Sequence, residues 1–216
     1  MIIERRCRQL LYRELIDDEY YLRRLPKGIV SNFIDIGANV GLISIFMRLL
    51  NPRAKILAIE PHPETYKSLV DNVSNLDITT KQVALGNGQI FHLFKERKTN
   101  LCNAFTDVKT DENCDIQSET LPSIIKSIGY DPLDLYIKID CEGAEQYLLE
   151  DKETCDLLPT LKFFIVEAHN KNNVNPSEFY SKIHRLMHYT HVETSICHSD
   201  RTINLIYIRK DIYGQI

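Results

Sequence analysis

Apolar and polar positions along the chain follow a repeating order, a short β-branched run and then a longer segment with apolar residues at helical spacing. The runs "NFIDIG" (32–37), "KILAIE" (55–60), "TKQVAL" (80–85), "DLYIKID" (134–140) and "KFFIVEAH" (162–169) predict strands. Most are near-continuously apolar instead of alternating, as expected of parallel strands covered on both faces. Helices are predicted between them over 40–50, 63–75, 121–128, 144–151 and 176–188, with Pro63 and Pro176 suited to a first helical turn. The tail differs: "THVETSIC" and "TINLIYIR" are separated only by "HSDR", too short for a parallel crossover, so they predict an antiparallel hairpin. The alternation defines an α/β fold with a Rossmann-like, doubly wound sheet.

Two flanking segments stand apart. Residues 1–28 place Arg-rich and Leu/Tyr positions at helical spacing and read as a helical cover segment, leaving 29–216 as one domain. Residues 96–114 form a polar stretch long enough to suggest a functional loop, and "QIFHLFK" before it reads as an extra edge strand. A chain of 216 residues with 44% hydrophobic content can bury a full core. The 26 basic residues are spread along a chain of net charge -4, so the electrostatic footprint of a dedicated nucleic-acid binder is missing. Charges appear by the fourth residue and no long apolar run follows, so neither a secretory signal nor membrane insertion is expected, and a cytoplasmic location is. The six cysteines include no CxxC pair, which argues against a zinc ribbon and a disulfide scaffold and predicts reduced thiols.

Candidate chemistry begins in "FIDIGANVGLIS", where Asp35 ends a strand and Gly37, Asn39 and Gly41 lead into a helix. Glycines there permit close backbone approach. In a dinucleotide fingerprint the first glycine would occupy the place of Asp35, and a carboxylate at that point would repel a pyrophosphate. S-adenosylmethionine has no phosphate; its sulfonium and ammonium favour a nearby acid. The second strand ends in Glu60 and Pro61, and an acid at that place can accept both ribose hydroxyls. A helix-start acid is the competing structural reading of Glu60.

The blocks "FIDIGANVGLIS", "ILAIEPHPETYKSLVDNV", "VALGNG", "DLYIKIDCEGAEQYLL" and "FFIVEAHN", in this order, resemble the FkbM-type methyltransferase family from about Asn32 to Asn170. The resemblance implies the class I methyltransferase fold, with strand order 3-2-1-4-5-7-6 and the C-terminal hairpin. It also implies S-adenosylmethionine as cofactor, with Asp35, Gly37 and Glu60 in its site, and O-methylation of a hydroxyl on a sugar or small natural product. The segment "NLCNAF" departs from the family pattern, which leaves its acceptor contacts open.

Methyl transfer to a hydroxyl needs donor and acceptor in line and a group to take the acceptor's proton. In "DLYIKID", Asp134, Tyr136, Lys138 and Asp140 share one face of the strand. The expectation is that Lys138 neutralises carboxylates and orients Asp140, which contacts the donor or accepts the proton; a purely structural ion pair is the alternative. Glu142 stands open between capping and catalysis, and Cys141 is expected to be a packed thiol. Glu167 and His169 end the fifth strand on one face, and the ordinary pKa of histidine would suit His169 to general-base work. Asp140, His169 and Asn170 stand about where metal-dependent catechol-type methyltransferases place ligands, but magnesium seldom takes histidine and no metal is expected. His184 and His188 in "HRLMH" lack the Glu of a zinc motif and read as a solvated helix face. Competing functions are an RNA ribose 2'-O-methyltransferase, for which the pocket lacks a second lysine, and a non-catalytic S-adenosylmethionine-binding module.

Overall fold

The computed structural model describes residues 28–95, 103–106, 113–169, 175–199 and 202–214, together with Leu22 and Leu25. The central sheet contains β1 (Asn32–Ile36), β2 (Lys55–Ile59), β3 (Ile78–Lys81), β8 (Leu135–Ile139), β9 (Phe163–His169), β10 (His191–Ser199) and β11 (Thr202–Arg209). Its order is β10-β11-β9-β8-β1-β2-β3. Numbered among these seven strands alone, this is 3-2-1-4-5-7-6, the expected order. Strands β1, β2, β3, β8 and β9 pair in parallel; β11 pairs antiparallel with β10, as the short "HSDR" connection requires, and also antiparallel with β9.

Helices cover the sheet: α1 (Leu42–Leu50), α2 (Pro63–Val73), α3 (Leu121–Ile128), α4 (Lys152–Leu157), α5 (Pro176–Met187) and the short α6 (Lys210–Tyr213). On one face Ile34, Ile137, Ile139 and Phe164 pack with Ile124 of α3 and Ile183 of α5. On the other, Phe33, Tyr136 and Ile165 pack with Ile43 and Met47 of α1 and with Leu22 and Leu25. The alternation inside β8 thus sends Leu135, Ile137 and Ile139 one way and Tyr136 the other. Burying each large apolar side chain contributes about 1.5–3 kcal/mol, so a strand apolar on both faces is stable only between two helical layers.

Three expectations change. The predicted strand over 80–85 is split: the third parallel strand is Ile78–Lys81, and Ala84–Leu85 (β4) belongs to a second sheet. That sheet has the order β4-β7-β5-β6, with β5 (Ile90–Lys95), β6 (Asn103–Thr106) and β7 (Asn113–Glu119). The extra strand expected at "QIFHLFK" is present, and parts of the expected 96–114 loop are strand; residues 96–102 and 107–112 lie outside the described residues. The predicted helix over 144–151 is a 3-10 segment, Ala144–Leu149, entered through Glu142 and Gly143, both at positive φ. Phe91 of β5 stacks on Tyr147 of that segment at 5.0 Å, which joins the second sheet to the end of β8. Most of the expected N-terminal cover segment, residues 1–21, 23–24 and 26–27, lies outside the described residues.

Candidate active site

The parallel strands β1, β2, β8 and β9 end side by side, and the charged residues cluster at those carboxyl ends. In-register pairing sets Asp35 on β1 opposite Lys138 on β8. The ammonium of Lys138 lies 3.4 Å from Asp35 Oδ1 and 3.6 Å from Asp140 Oδ2, and it donates a hydrogen bond of 3.1 Å to the carbonyl of Gly37. Lys138 therefore serves Asp35 and Asp140 together. Burying an ion pair is costly unless hydrogen bonds complete it, and here Ser44 Oγ donates to Asp35 Oδ2 at 2.7 Å. Asp35 is fully buried, and its carboxylate braces Lys138 and the start of α1.

Gly37 (φ 75) brings the first loop against the end of β8. A Cβ on Gly37 would stand 1.7 Å from the carbonyl oxygen of Asp140, so only glycine fits. Gly41 (φ 89) starts α1, where a Cβ would meet Leu69 of α2 at 2.6 Å. Asn39, between them, adopts φ 51 and donates its backbone N–H to Glu60 Oε2 at 3.1 Å. The N–H of His62 donates to Glu60 Oε1 at 2.9 Å, fixing both carboxylate oxygens of Glu60 in the bend that Pro61 makes after β2. Burial pushes the Glu60 carboxyl from 4.5 up to about 7, against the two backbone donors and Lys138. The side-chain oxygen of Asn39 is buried with no hydrogen-bond partner among the described residues.

At the end of β9, His169 is buried among four carboxylates. Its Nδ1 pairs with Glu145 Oε1 at 2.8 Å. Its Nε2 lies 3.8 Å from Asp140 Oδ1, 3.7 Å from Glu142 Oε2 and 3.6 Å from Glu167 Oε1. Burial opposes a charged imidazole, but the hydrogen bond and charge of Glu145, with Asp140 and Glu142, raise its pKa from 6.5 to about 10. These contacts favour the protonated ring, with the carboxylates of Asp140, Glu142 and Glu167 facing its Nε2. Cys141 is buried with its thiol pushed well up by desolvation, in keeping with a packed role.

The structure brings Lys138, Asp140, Glu167 and His169 together, with Gly37, Asn39, Glu60 and Pro61 along the neighbouring rim. Ser44 and Glu145 escape sequence reasoning. Glu145 carries a usable signal, since the spacing in "CEGAE" brings its carboxylate back onto the backbone N–H of Cys141 at 3.3 Å. The left-handed backbone at Glu142 turns it into the cluster and takes it out of a helix-capping position. Asn170 lies outside the described residues. The His184 and His188 rings stack at 5.5 Å, and His184 Nδ1 meets Glu193 at 2.5 Å, a structural explanation for that pair.

A seven-stranded sheet with a reversed terminal hairpin, and an acid at the end of each of its central strands, is the arrangement expected of the class I methyltransferase fold. The family model described as "Methyltransferase FkbM domain" matches residues 35–192, and the chain belongs to that family. It is 28% identical to the methyltransferase sdnD of Sordaria araneosa over 78% of this chain and 77% of that protein. It is also 39% identical to the 31-O-demethyl-FK506 methyltransferase FkbM of Streptomyces tacrolimicus, over 30% of this chain and 25% of that protein. Among solved structures, the METTL16 MTase domain aligns with TM-score 0.52 at 15% identity, covering 93% of this chain and 67% of the other, a likeness of fold. No helix among the described residues is long and apolar enough to cross a membrane.

Proposed function

We propose that this methyltransferase uses S-adenosylmethionine to methylate a hydroxyl oxygen of a sugar or small natural product. The observation that carries the reading is the Glu60 carboxylate, presented at the end of β2 by the N–H groups of Asn39 and His62 beside the Gly37–Gly41 loop. Each oxygen of Glu60 accepts one backbone bond and keeps a lone pair for a ribose hydroxyl. The unpartnered Oδ1 of Asn39 on the same loop is a further acceptor suited to the ammonium of the cofactor. S-adenosylmethionine, when bound, supplies a methyl group on a positively charged sulfur.

The chain's own residues supply position and proton transfer. Asp140, whose side chain is 21% exposed, stands at the mouth with one oxygen toward Lys138 and the other toward His169. Asp140 and Glu167 orient the acceptor hydroxyl and take its proton as the oxygen–carbon bond forms and the sulfur–carbon bond breaks. Lys138 and the charged ring of His169 hold these carboxylates in place. The name of the Streptomyces tacrolimicus relative, an O-demethyl-compound methyltransferase, supports a hydroxyl acceptor over a base nitrogen.

The test is calorimetry with S-adenosylhomocysteine on wild type and Glu60→Ala, followed by a screen of hydroxylated acceptors for methyl incorporation. Binding by wild type that is lost in the variant is expected. No binding by wild type overturns the reading, and binding without turnover of any acceptor would favour a non-catalytic binding module.

A further inference from the structure

The turn after β8 carries two acids of the site on a backbone that needs support. Glu142 (φ 55) and Gly143 (φ 112) stand in succession in the left-handed region, and the segment they open, Ala144–Leu149, is 3-10 instead of α-helical. A non-glycine residue keeps such a conformation only where its surroundings over-determine it, and 3-10 hydrogen bonds are poorer in geometry than those of an α-helix. With three residues per turn, Ala144 and Tyr147 share one face of the segment, and Glu145 and Leu148 share the next. Glu145 meets the N–H of Cys141 and Nδ1 of His169. Tyr147 meets the ring of Phe91, with centroids 5.0 Å apart and planes inclined by 27°.

Phe91 is itself tightly seated. It is 7% exposed, and its ring lies against Gly86, where a Cβ would stand 2.4 Å from Cε2 of Phe91 and 2.7 Å from the Cβ of Ser118. The N–H of Gly86 donates to the carbonyl of Glu119 at 2.8 Å, and the hydroxyl of Ser118 donates to the carbonyl of Gln89 at 2.6 Å. Lys81 at the end of β3 pairs with Glu119 at 2.7 Å, which fixes this seat to the central sheet. Contacts therefore run from β3 through the second sheet and Phe91 to Tyr147, and along the 3-10 segment to Glu145 and His169. A close-packed interior passes a displacement on, because no void absorbs it.

We infer that Phe91 is a positioning residue: from the second sheet it holds Tyr147, and thereby the turn that keeps Glu145 against His169 and Glu142 at the mouth of the cleft. Its part in methyl transfer rests on the reading above. The second sheet then has a task in the site although it supplies no member of the charged cluster around His169.

The test is NMR titration of the His169 imidazole in the full chain carrying Phe91→Leu or Tyr147→Leu, with calorimetry of S-adenosylhomocysteine binding and urea unfolding on the same proteins. Both variants keep an apolar side chain and lose the stacked ring. The His169 pKa should fall from about 10 toward 6.5 in each. Affinity for S-adenosylhomocysteine should stay within about twofold of wild type. Tyr147→Phe, which keeps the ring, should titrate as wild type does. Tyr147→Leu alters the half-buried partner and carries the test where Phe91→Leu fails to fold. A packing role alone would lower the urea midpoint and leave the His169 titration in place, and that result overturns the inference. So does a Tyr147→Phe variant that titrates like Tyr147→Leu. The two readings fail separately. An unmoved His169 titration in protein that binds S-adenosylhomocysteine removes the positioning role alone, and a shifted titration in variants of a wild type that does not bind it removes the methyl-transfer reading alone.

Discussion

Nδ1 of His169 lies 2.8 Å from the carboxylate of Glu145, and both side chains are buried. This contact makes Glu145, a residue behind the cleft, the main support of the charge on a residue at its mouth. Glu145→Gln keeps the shape and removes the charge, so the His169 pKa should fall from about 10 toward its ordinary 6.5, as read by NMR titration of the imidazole. The sign for stability follows. A histidine with a raised folded pKa stabilises fully below pH 6.5 and loses that contribution as pH rises through about 10. The stability gap between wild type and Glu145→Gln should therefore close across that window; a gap constant from pH 6 to 10 would show that the pair carries no proton linkage.

Glu60 behaves as an acid with a raised pKa, about 7 against 4.5. Its burial favours the protonated form, so its contribution is full below pH 4.5 and lost as pH rises through about 7, a swing of about 3 kcal/mol at most. Glu60→Gln should flatten this part of the pH–stability curve measured by urea unfolding. Affinity for S-adenosylhomocysteine should rise in wild type between pH 6 and about 8, as the carboxylate ionises to accept ribose hydroxyls. In Glu60→Gln the affinity should stay low and level.

Lys138→Met leaves the fully buried Asp35 facing an apolar side chain. Removing one partner of a buried pair costs about 3–5 kcal/mol, so this variant should be clearly destabilised as well as inactive. The double variant Asp35→Asn with Lys138→Met should regain much of the lost stability in chemical denaturation and none of the activity, because Asp140 still lacks its lysine.

Gly37→Ala places a methyl group against the carbonyl of Asp140 and forces alanine into a left-handed backbone. The backbone alone costs about 1–3 kcal/mol and the clash adds to it. Thermal unfolding should show a large loss, whereas Gly88→Ala, where a Cβ has open space, should show only the backbone cost at its φ of 89.

The sheet was legible because β1, β2, β8 and β9 are buried on both faces, and burial writes itself into sequence as continuous apolar runs. The hairpin was legible because four residues cannot carry a crossover. Of the second sheet only β5 was legible, since β4 has only two residues and β6 and β7 lack a continuous apolar run. At the site, Lys138, Asp140, Glu60 and His169 announced themselves as polar groups at the ends of apolar strands. Ser44 did not, because it lies in the first turn of α1 and acquires its role only when Asp35 turns toward it. The actual charge of His169 was hidden for a similar reason: its pKa depends on Glu145, 24 positions away, and on a backbone turn that no periodicity reveals.

The close approach of Gly37 to the carbonyl of Asp140, tied across by Lys138, works as a mechanical weld between the loop after β1 and the end of β8. Under the proposed methyl transfer, neither loop could shift to suit a bulkier acceptor without dragging the other. Adaptation to a different acceptor therefore has to come from the outer walls of the cleft, leaving the line between the two reacting atoms undisturbed.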